Sequence, residues 1–314
     1  MARLRVDTKE KILNDKRLWL SMIIMSLPLF LNNFIKSLNG SVDTFFVSQM
    51  GLTAEQARSA MSAMSLHDQV YNVFLAFGVG LAVAASAIVS QYLGAGKKDY
   101  AKKYAAKFLT LAGLIGITFT ILILVFSPYL VSALGAKGDT HSYAVTYFNI
   151  RSIEYVSILI FMIYQAVRQA EGKTILPATI NIVGIFINII LTAVFVKVFH
   201  LGIVGNATAT IIGNMLFLPF MIYDLFRNKT LISIKAKDLK INKENLNNIL
   251  PFAGPAALGQ AISSLGFVFI QAFILRFYGD IISSSFSVGN SPLFVHLPRV
   301  TFPVALQSLT IFHL

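Results

Sequence analysis

The feature that most constrains this chain is a series of seven long apolar runs, each of about twenty residues or more. A helix of that length crosses a hydrocarbon layer about 30 Å thick. Within such a layer no water satisfies the backbone, so a chain crosses it only as helices or as a closed barrel. Barrel strands would alternate apolar and polar residues, whereas these runs are continuous. The sequence therefore predicts an all-α fold, a polytopic transmembrane helical bundle. The predicted spans are Leu18–Met50, Ala60–Leu93, Phe108–Leu134, Tyr143–Val167, Ile175–Phe199, Ile203–Phe226 and Leu250–Tyr278, and a weaker eighth begins near Ile281.

The charge of the chain is low and unevenly placed. Only 13% of its residues are charged and 56% are hydrophobic, whereas about 25% of residues are charged in a typical soluble domain. The N-terminus and the second, fourth and sixth connections hold 19 lysines and arginines, and the other connections hold four. By the positive-inside rule the N-terminus is cytoplasmic. The net charge of +12 is thus a signal of topology. We expect a multi-pass protein of the cell (plasma) membrane. Its partner would be the lipid bilayer, and we expect it not to bind nucleic acid.

Charge and hydropathy divide the chain into five segments. Residues 1–17 form a basic cytoplasmic N-terminus, 18–226 a six-helix lobe, 227–248 a cytoplasmic linker, 249–290 the start of a second lobe, and 291–314 an atypical tail. The polar, lysine-rich linker suits a connection between two bundles. An ordinary loop with an amphipathic segment on the membrane surface would look similar. A Leu-Pro pair early in both the first and the seventh span favours two repeats.

Asp43 is the first candidate for a functional residue. It lies in the first predicted span, which would form a helix about 50 Å long and so must tilt, bend or project. Acidic residues within a span are costly and face the bundle interior or water. Asp43 is either solvated in the outer headgroup region or held away from water in the outer half of the bundle. The apolar residues that follow it favour the second interpretation.

Three further charged residues of the apolar spans are candidates for a role in the bundle interior. Lys36 is seven residues before Asp43, on nearly the same helix face. It either lines the same cavity or extends toward the outer interface. Arg151 and Glu154 are three residues apart in the fourth span, which predicts a structural ion pair on one helix face.

Uncharged polar residues follow one face of the fifth span. Asn181 and Asn188 are two turns apart, and Thr192 lies one turn further along the same face. They either bond to neighbouring helices or line a polar cavity, and we favour the cavity. His67 and Asp68, near the outer end of the second span, are expected in a solvated loop.

Motifs of enzymes do not occur in a credible context. The chain has no hydrolase elbow, phosphate-binding loop, metal-binding helix or dinucleotide fingerprint. It has no cysteine, so neither a disulfide nor a thiolate metal site is possible. We therefore expect no enzymatic activity, no metal site and no cofactor.

Several stretches resemble motifs of the multidrug and toxic compound extrusion (MATE) transporters. In chain order they resemble the signature of the first helix, the end of the second, the stretch entering and crossing the fifth, and the Gly-rich start of the sixth: Val42–Ser48 with Gly51, Ser90–Gly96, Gln165–Thr174 with Pro177 and Asn188–Leu191, and Gly202–Thr210. The likeness runs in order from about Leu18 to Asn290. It covers most of the chain, although each motif alone is only moderately specific.

The resemblance implies two six-helix lobes around a central cavity that opens to alternate sides of the membrane. Amphipathic, often cationic, drug-like compounds would leave in exchange for protons or sodium ions. Asp43 matches the first-helix acid that takes up the coupling ion in the family. Its neutralisation would reshape the first helix near Pro28 and Gly40.

Three features depart from the family pattern. Thr192 stands where the family often has an aspartate, and no acidic residue lies between Pro251 and Gly279, where some members carry one. After Asn290 the expected second repeat is replaced by a short proline-containing tract. We expect a truncated product whose reading frame is lost there; the alternative is a natural short transporter that dimerises to complete its cavity.

Two alternatives to drug export remain open. A flippase for a lipid-linked glycan shares a similar helical plan and would need a groove lined by basic residues, for which Lys36 and Arg151 are the candidates. A non-transporting membrane fragment would reach the membrane and confer no drug resistance.

Overall fold

The computed structural model describes residues 50–227 and 230–289 and, before them, the pairs 30–31, 34–35, 39–40, 42–43 and 45–46. Those pairs are helical and are called the first segment below. Within the described ranges there is no β-strand, and the predicted all-α fold is confirmed. The helices are α1 (Ala54–Gly94), α2 (Lys98–Ala133), α3 (Gly138–Arg151), α4 (Glu154–Ala170), α5 (Ile175–Lys197), α6 (Gly202–Met215), α7 (Leu218–Phe226) and α8 (Lys243–Gly289), with a 3₁₀ turn at Ala236–Leu239.

Five helical stretches of the described chain are long and apolar enough to cross a membrane. They are α1, α2, α5, α6 together with α7, and α8, and they match the second, third, fifth, sixth and seventh predicted spans. The fourth predicted span differs, because it is divided into α3 and α4, which meet at a bend of 49°. Counting that pair as one span makes six. The first predicted span lies largely outside the described residues.

Helix ends reach beyond the apolar runs. Thr53 begins α1 with a capping box, in which its side chain accepts from the Gln56 backbone and the Gln56 side chain accepts from the Thr53 backbone. At the other end, Gly96 has φ 72°, a left-handed conformation that suits glycine and turns the chain into α2. A second such residue, Gly279, also has φ 72° and breaks α8, close to the predicted boundary between the seventh and eighth spans.

Small residues bring the helices into close contact. A Cβ atom added at Gly80 of α1 would lie 2.5 Å from the Ala253 carbonyl oxygen and 2.6 Å from the Ala257 Cβ of α8. At Gly116 of α2 it would lie 2.7 Å from the Val156 Cα of α4. Glycine at such contacts lets the backbones of membrane helices approach. Helix α1 therefore packs closely against α8, and α2 packs closely against α4.

One face of α2 is left open by this packing. Four apolar side chains at helical spacing are each more than half exposed: Leu114, Ile117, Ile121 and Val125. A continuous exposed apolar stripe is costly in water and suits contact with lipid. The face is the expected outer surface of a membrane bundle.

The predicted linker packs against α2, α7 and the end of α4. Ile232 and Ile234 are buried, and the Ile234 amide donates to the Leu225 carbonyl at 2.8 Å. Further along, the Thr110 hydroxyl of α2 donates to the Leu239 carbonyl at 2.9 Å. Helix α8 begins at Lys243, inside the segment predicted as linker. The connection is thus short and attached along most of its described length.

Candidate functional site

Asp43 is buried, with 8% of its surface exposed. Its Oδ1 atom accepts from the Asn206 side-chain amide of α6 at 3.3 Å, and its Oδ2 atom accepts from the Asn39 amide at 3.3 Å. Among the described residues these two neutral groups are its hydrogen-bond donors. The structure therefore agrees with the interpretation of Asp43 as a carboxylate held away from water.

A chain of hydrogen bonds leads from Asp43 to an ion pair. The Tyr147 hydroxyl donates to the Asn206 Oδ1 atom at 3.2 Å, and the Arg151 Nη1 group donates to the Tyr147 oxygen at 2.8 Å. The Arg151 Nη2 group then donates to the Glu154 Oε1 atom at 2.6 Å. We call this set the buried polar network: Asp43, Asn206, Tyr147, Arg151, Glu154 and Asn214, whose amide donates to the Glu154 Oε2 atom at 3.2 Å.

The ion pair spans the break between α3 and α4. Arg151 is the last residue of α3 and Glu154 the first of α4, so the pair does not lie on one helix face as predicted. The sequence between them contains neither proline nor glycine, which explains why the bend was not predicted. At the break, hydroxyl groups bond to backbone carbonyls. The Thr120 hydroxyl of α2 donates to the Ser152 carbonyl at 2.8 Å, and the Ser152 hydroxyl donates to the Asn149 carbonyl at 2.7 Å.

Aromatic side chains enclose the network. The His67 ring meets the rings of Tyr147 and Phe148 edge-on, each at 5.0 Å, and stacks on Tyr71 at 5.5 Å. The prediction of a solvated loop was wrong, because residues 67 and 68 both lie within α1 and His67 is 1% exposed. Asp68 does face outward, with a 56% exposed side chain, and its Oδ1 atom lies 3.2 Å from the His67 Nδ1 atom.

Helix α5 joins the site through Asn188. The Asn188 amide donates to the Thr210 hydroxyl at 3.1 Å, and that hydroxyl donates to the Asn206 carbonyl at 3.1 Å. Thr192 is fully buried one turn further along α5. Within the described part of the chain, the Asn188 Oδ1 and Thr192 Oγ1 atoms have no hydrogen-bond partner. These two buried oxygen atoms are thus available to a proton, an ion or water.

Asn181 lies two turns away, in a different place. It lines a small cleft between α4, α5 and α6, together with Ile158, Gly184 and Asn214. Because Asn214 also bonds Glu154, the cleft adjoins the far end of the buried polar network. Lys36, the remaining candidate, lies outside the described residues.

Sequence reasoning missed three members of the network. Tyr147 lies four residues before Arg151, a spacing that places the two side chains on one helix face. Asn206 and Asn214 are amides within an apolar span, which is a signal for a bonded interior residue.

In the described residues, no three His, Asp or Glu side chains converge as metal ligands do.

Known proteins resemble this chain in both sequence and fold. Residues 28–194 match the sequence model of the MatE family. The chain is 26% identical over 271 residues to the multidrug export protein MepA of Staphylococcus aureus (strain MSSA476), a match covering 86% of this chain and 58% of that protein. It is 27% identical over 278 residues to MepA of Staphylococcus haemolyticus (strain JCSC1435), covering 88% of this chain and 60% of that protein.

Solved structures of multidrug resistance MATE family transporters share the fold. An inward-facing structure superposes with a TM-score of 0.77 at 24% identity, covering 91% of this chain and 65% of that one. An outward-facing structure gives 0.78 at 24% identity, covering 93% and 63%. The chain thus spans somewhat less than two thirds of the length of these relatives. With the family match, the helical fold and the apolar spans together, this chain is a multi-pass membrane protein that belongs to the MatE family, the multidrug and toxic compound extrusion transporters.

Proposed function

We propose that this chain acts in the export of amphipathic or cationic drugs across the cell membrane, in exchange for protons or sodium ions bound at Asp43. The observation that carries the proposal is the burial of Asp43 between two neutral amide donors. The relatives are named as export proteins and transporters, which supports transport rather than catalysis. The alternation of basic residues supports a cytoplasmic N-terminus.

A buried carboxylate with neutral partners is suited to bind a cation reversibly. A lone negative charge away from water is costly, and a bound proton or sodium ion removes that cost. The unpartnered oxygens of Asn188 and Thr192 lie on the helix that contacts Asn206 through Thr210, and they offer further ligands for the incoming ion. Because residue 192 is a threonine and not an acid, Asp43 carries the one carboxylate among Asp43, Asn188, Thr192, Asn206 and Thr210.

Ion binding at Asp43 would change how the first segment is attached. The carboxylate bonds Asn39 within its own segment and Asn206 on α6, so it ties the two together. A proton on either oxygen turns that oxygen into an O–H donor and a poorer acceptor, which weakens the bond from its amide partner. A ligand shifts a conformational equilibrium only when it binds the two states differently. Loss of the contact to α6 supplies that difference in affinity and would link ion uptake to drug release.

The test is a transport assay with the ion gradient as the variable. Proteoliposomes containing the full chain are loaded with ethidium, and its loss is followed under an imposed proton gradient or an imposed sodium gradient. We expect one gradient to drive export, Asp43→Asn to abolish it, and Asp99→Asn to retain it. Asp99 is the matched control, since it is an exposed acid at the start of α2.

Two outcomes would contradict the proposal. If neither gradient drives ethidium export by the native chain, the chain does not export this cation alone. If Asp43→Asn exports normally across the pH range, Asp43 does not bind the coupling ion. The flippase alternative gains no support, because Arg151 is paired with Glu154 instead of lining an open basic groove.

A further inference from the structure

We propose that Glu154 is a positioning residue for Asp43: by binding the Arg151 guanidinium it prevents that positive charge from neutralising Asp43, and so sets how readily Asp43 takes up its cation. The inference rests on the proposed function of Asp43. Its basis is that the buried polar network contains two acids, Asp43 and Glu154, and one base, Arg151. That base pairs with Glu154.

Arg151 is held in a fixed position. Its two terminal nitrogens donate to the Tyr147 oxygen at 2.8 Å and to the Glu154 Oε1 atom at 2.6 Å. The guanidinium carbon lies 5.4 Å from the centre of the Tyr147 ring and 5.6 Å from that of Tyr71. A charge-assisted bond of this length is strong and directional. In the described part of the chain, hydrogen bonds connect the arginine to Asp43 through Tyr147 and Asn206, two neutral groups.

Glu154 is itself stabilised as the partner of Arg151. It is fully buried and is the first residue of α4, where the positive end of the helix dipole favours a negative charge. The Asn214 amide donates to its second oxygen at 3.2 Å. With both oxygens bonded, the Arg151–Glu154 pair is electrically neutral as a unit. Ionised Asp43 is then the uncompensated charge of the buried polar network, and a bound cation makes the network neutral.

Other charged or titratable groups face the site from neighbouring helices. From α1 they are His67 and Asp68, which contact each other, with Asp68 more than half exposed. From α5 it is Lys197, whose nitrogen lies 5.8 Å from the centre of the Phe46 ring. In the described residues, none of these groups forms a hydrogen bond or an ion pair with Asp43. Arg151, in contrast, is connected to Asp43 by hydrogen bonds through Tyr147 and Asn206. Within the described residues, the Arg151–Glu154 pair is therefore the charged group that hydrogen bonds link to Asp43.

The charge balance makes opposite predictions for the two members of the pair. Glu154→Gln leaves Arg151 uncompensated, which stabilises the ionised form of Asp43, so protonation requires a lower pH. Arg151→Gln leaves Glu154 uncompensated, so protonation of Asp43 occurs at a higher pH. We expect each shift to be about one pH unit, a size that a nearby buried charge commonly produces. A double variant that removes both charges is expected to return the midpoint close to that of the native chain.

The measurement follows Asp43 itself. Infrared spectra of the reconstituted full chain are recorded against pH, and the carbonyl stretch of protonated Asp43 is assigned by its loss in Asp43→Asn. Glu171→Gln is the matched control, because Glu171 is also fully buried and bonded to an arginine three residues away, at the opposite end of α4. We expect the control to leave the midpoint unchanged.

Single variants that bury an unpaired charge can fail to fold. Asn214→Asp avoids this problem, since residue 214 lines the small cleft and is only partly buried. It adds a negative charge beside Glu154 and is expected to raise the midpoint, as Arg151→Gln does.

The proposal is overturned if Glu154→Gln and Arg151→Gln shift the midpoint in the same direction, or if neither they nor Asn214→Asp shift it. The readout does not depend on transport. If the native chain exports no ethidium but the two variants shift the midpoint in opposite directions, the proposed function alone is contradicted. If the native chain exports ethidium but the variants do not shift the midpoint in opposite directions, this inference alone is contradicted.

Discussion

Replacing Arg168 by glutamine should detach the connection after α7 from the end of α4. Arg168 is fully buried near the end of α4. Its Nε group donates to the Asp224 Oδ2 atom at 2.9 Å and its Nη2 group to the Asp224 carbonyl at 2.7 Å. Its Nη1 group donates to the Glu171 Oε2 atom at 2.9 Å, while the other oxygen of Glu171 accepts from the Ile232 amide. One guanidinium thus holds two buried carboxylates and, through Glu171, the connection.

The cost of the substitution follows from these contacts. Removing one partner of a buried ion pair costs about 3–5 kcal/mol, because the remaining charge is left unpaired. Here Asp224 and Glu171 both lose their strongest partner. Lys173 also contacts Glu171, at 3.1 Å, but is 30% exposed. A partly exposed pair of that kind contributes about 0–1 kcal/mol. Lys173→Gln is therefore the matched control, with the same acceptor and a much smaller expected loss.

Hydrogen exchange of the Ile232 and Ile234 amides measures the effect locally. Both amides lie in the connection after α7. The Ile232 amide donates to the Glu171 side chain, and the Ile234 amide donates to the Leu225 carbonyl. A loss of 3 kcal/mol or more would speed their exchange by about a hundredfold or more, since each 1.4 kcal/mol is a factor of ten. The control should change it by less than about tenfold. Equal exchange in the native chain and in Arg168→Gln would refute the assignment of Arg168 as the residue that fastens this segment.

Two further predictions concern packing and the buried polar network. Gly80→Leu should separate α1 from α8 and lower the melting temperature in detergent, because its Cβ alone would lie 2.5 Å from the Ala253 carbonyl; Gly113→Leu, with nothing within 4 Å, should not. Equal melting of the two variants would contradict close packing at Gly80. Tyr147→Phe should destabilise the chain by about 1–3 kcal/mol in denaturant unfolding, since the Arg151 Nη1 group and the Asn206 oxygen both lose a buried partner. Tyr129→Phe, at a 74% exposed position, is its control, and a loss no larger than in this control would contradict the role of the hydroxyl.

Hydropathy predicted the spans well but not their ends. The second span was predicted to begin at Ala60 and the third at Phe108, whereas α1 begins at Ala54 and α2 at Lys98. The added stretches are rich in polar and charged residues and extend the helices beyond the apolar runs, so a search for apolar length does not find them. The Thr53 and Gln56 capping pair is a local signal that would have located the start of α1.

The site was predicted one residue at a time rather than as a group. Asp43 is recognisable because an acid in an apolar run is unusual. Its partner Asn206 is 163 residues away, and only the packing of α6 against the first segment brings the two together. One partner of Arg168, Asp224, was hidden for the same reason, since it is 56 residues away in sequence. Composition and spacing detect costly residues, whereas the groups that offset the cost depend on tertiary contacts.

Helix α4 carries a buried arginine–glutamate pair at each end, and the two pairs place different demands on it. At one end, Arg151 and Glu154 connect the helix to Asp43 across the bend with α3. At the other, about 20 Å away along the helix axis, Arg168 and Glu171 hold it to α7 and the following connection. Because the second pair fixes α4 to its neighbours, a change of charge at Asp43 cannot easily slide the whole helix. The contacts free to respond are those of the first segment with Asn206 and the bend itself, where the backbone is already broken between Arg151 and Glu154. Under the proposed function, a rearrangement coupled to ion uptake is therefore expected to begin there.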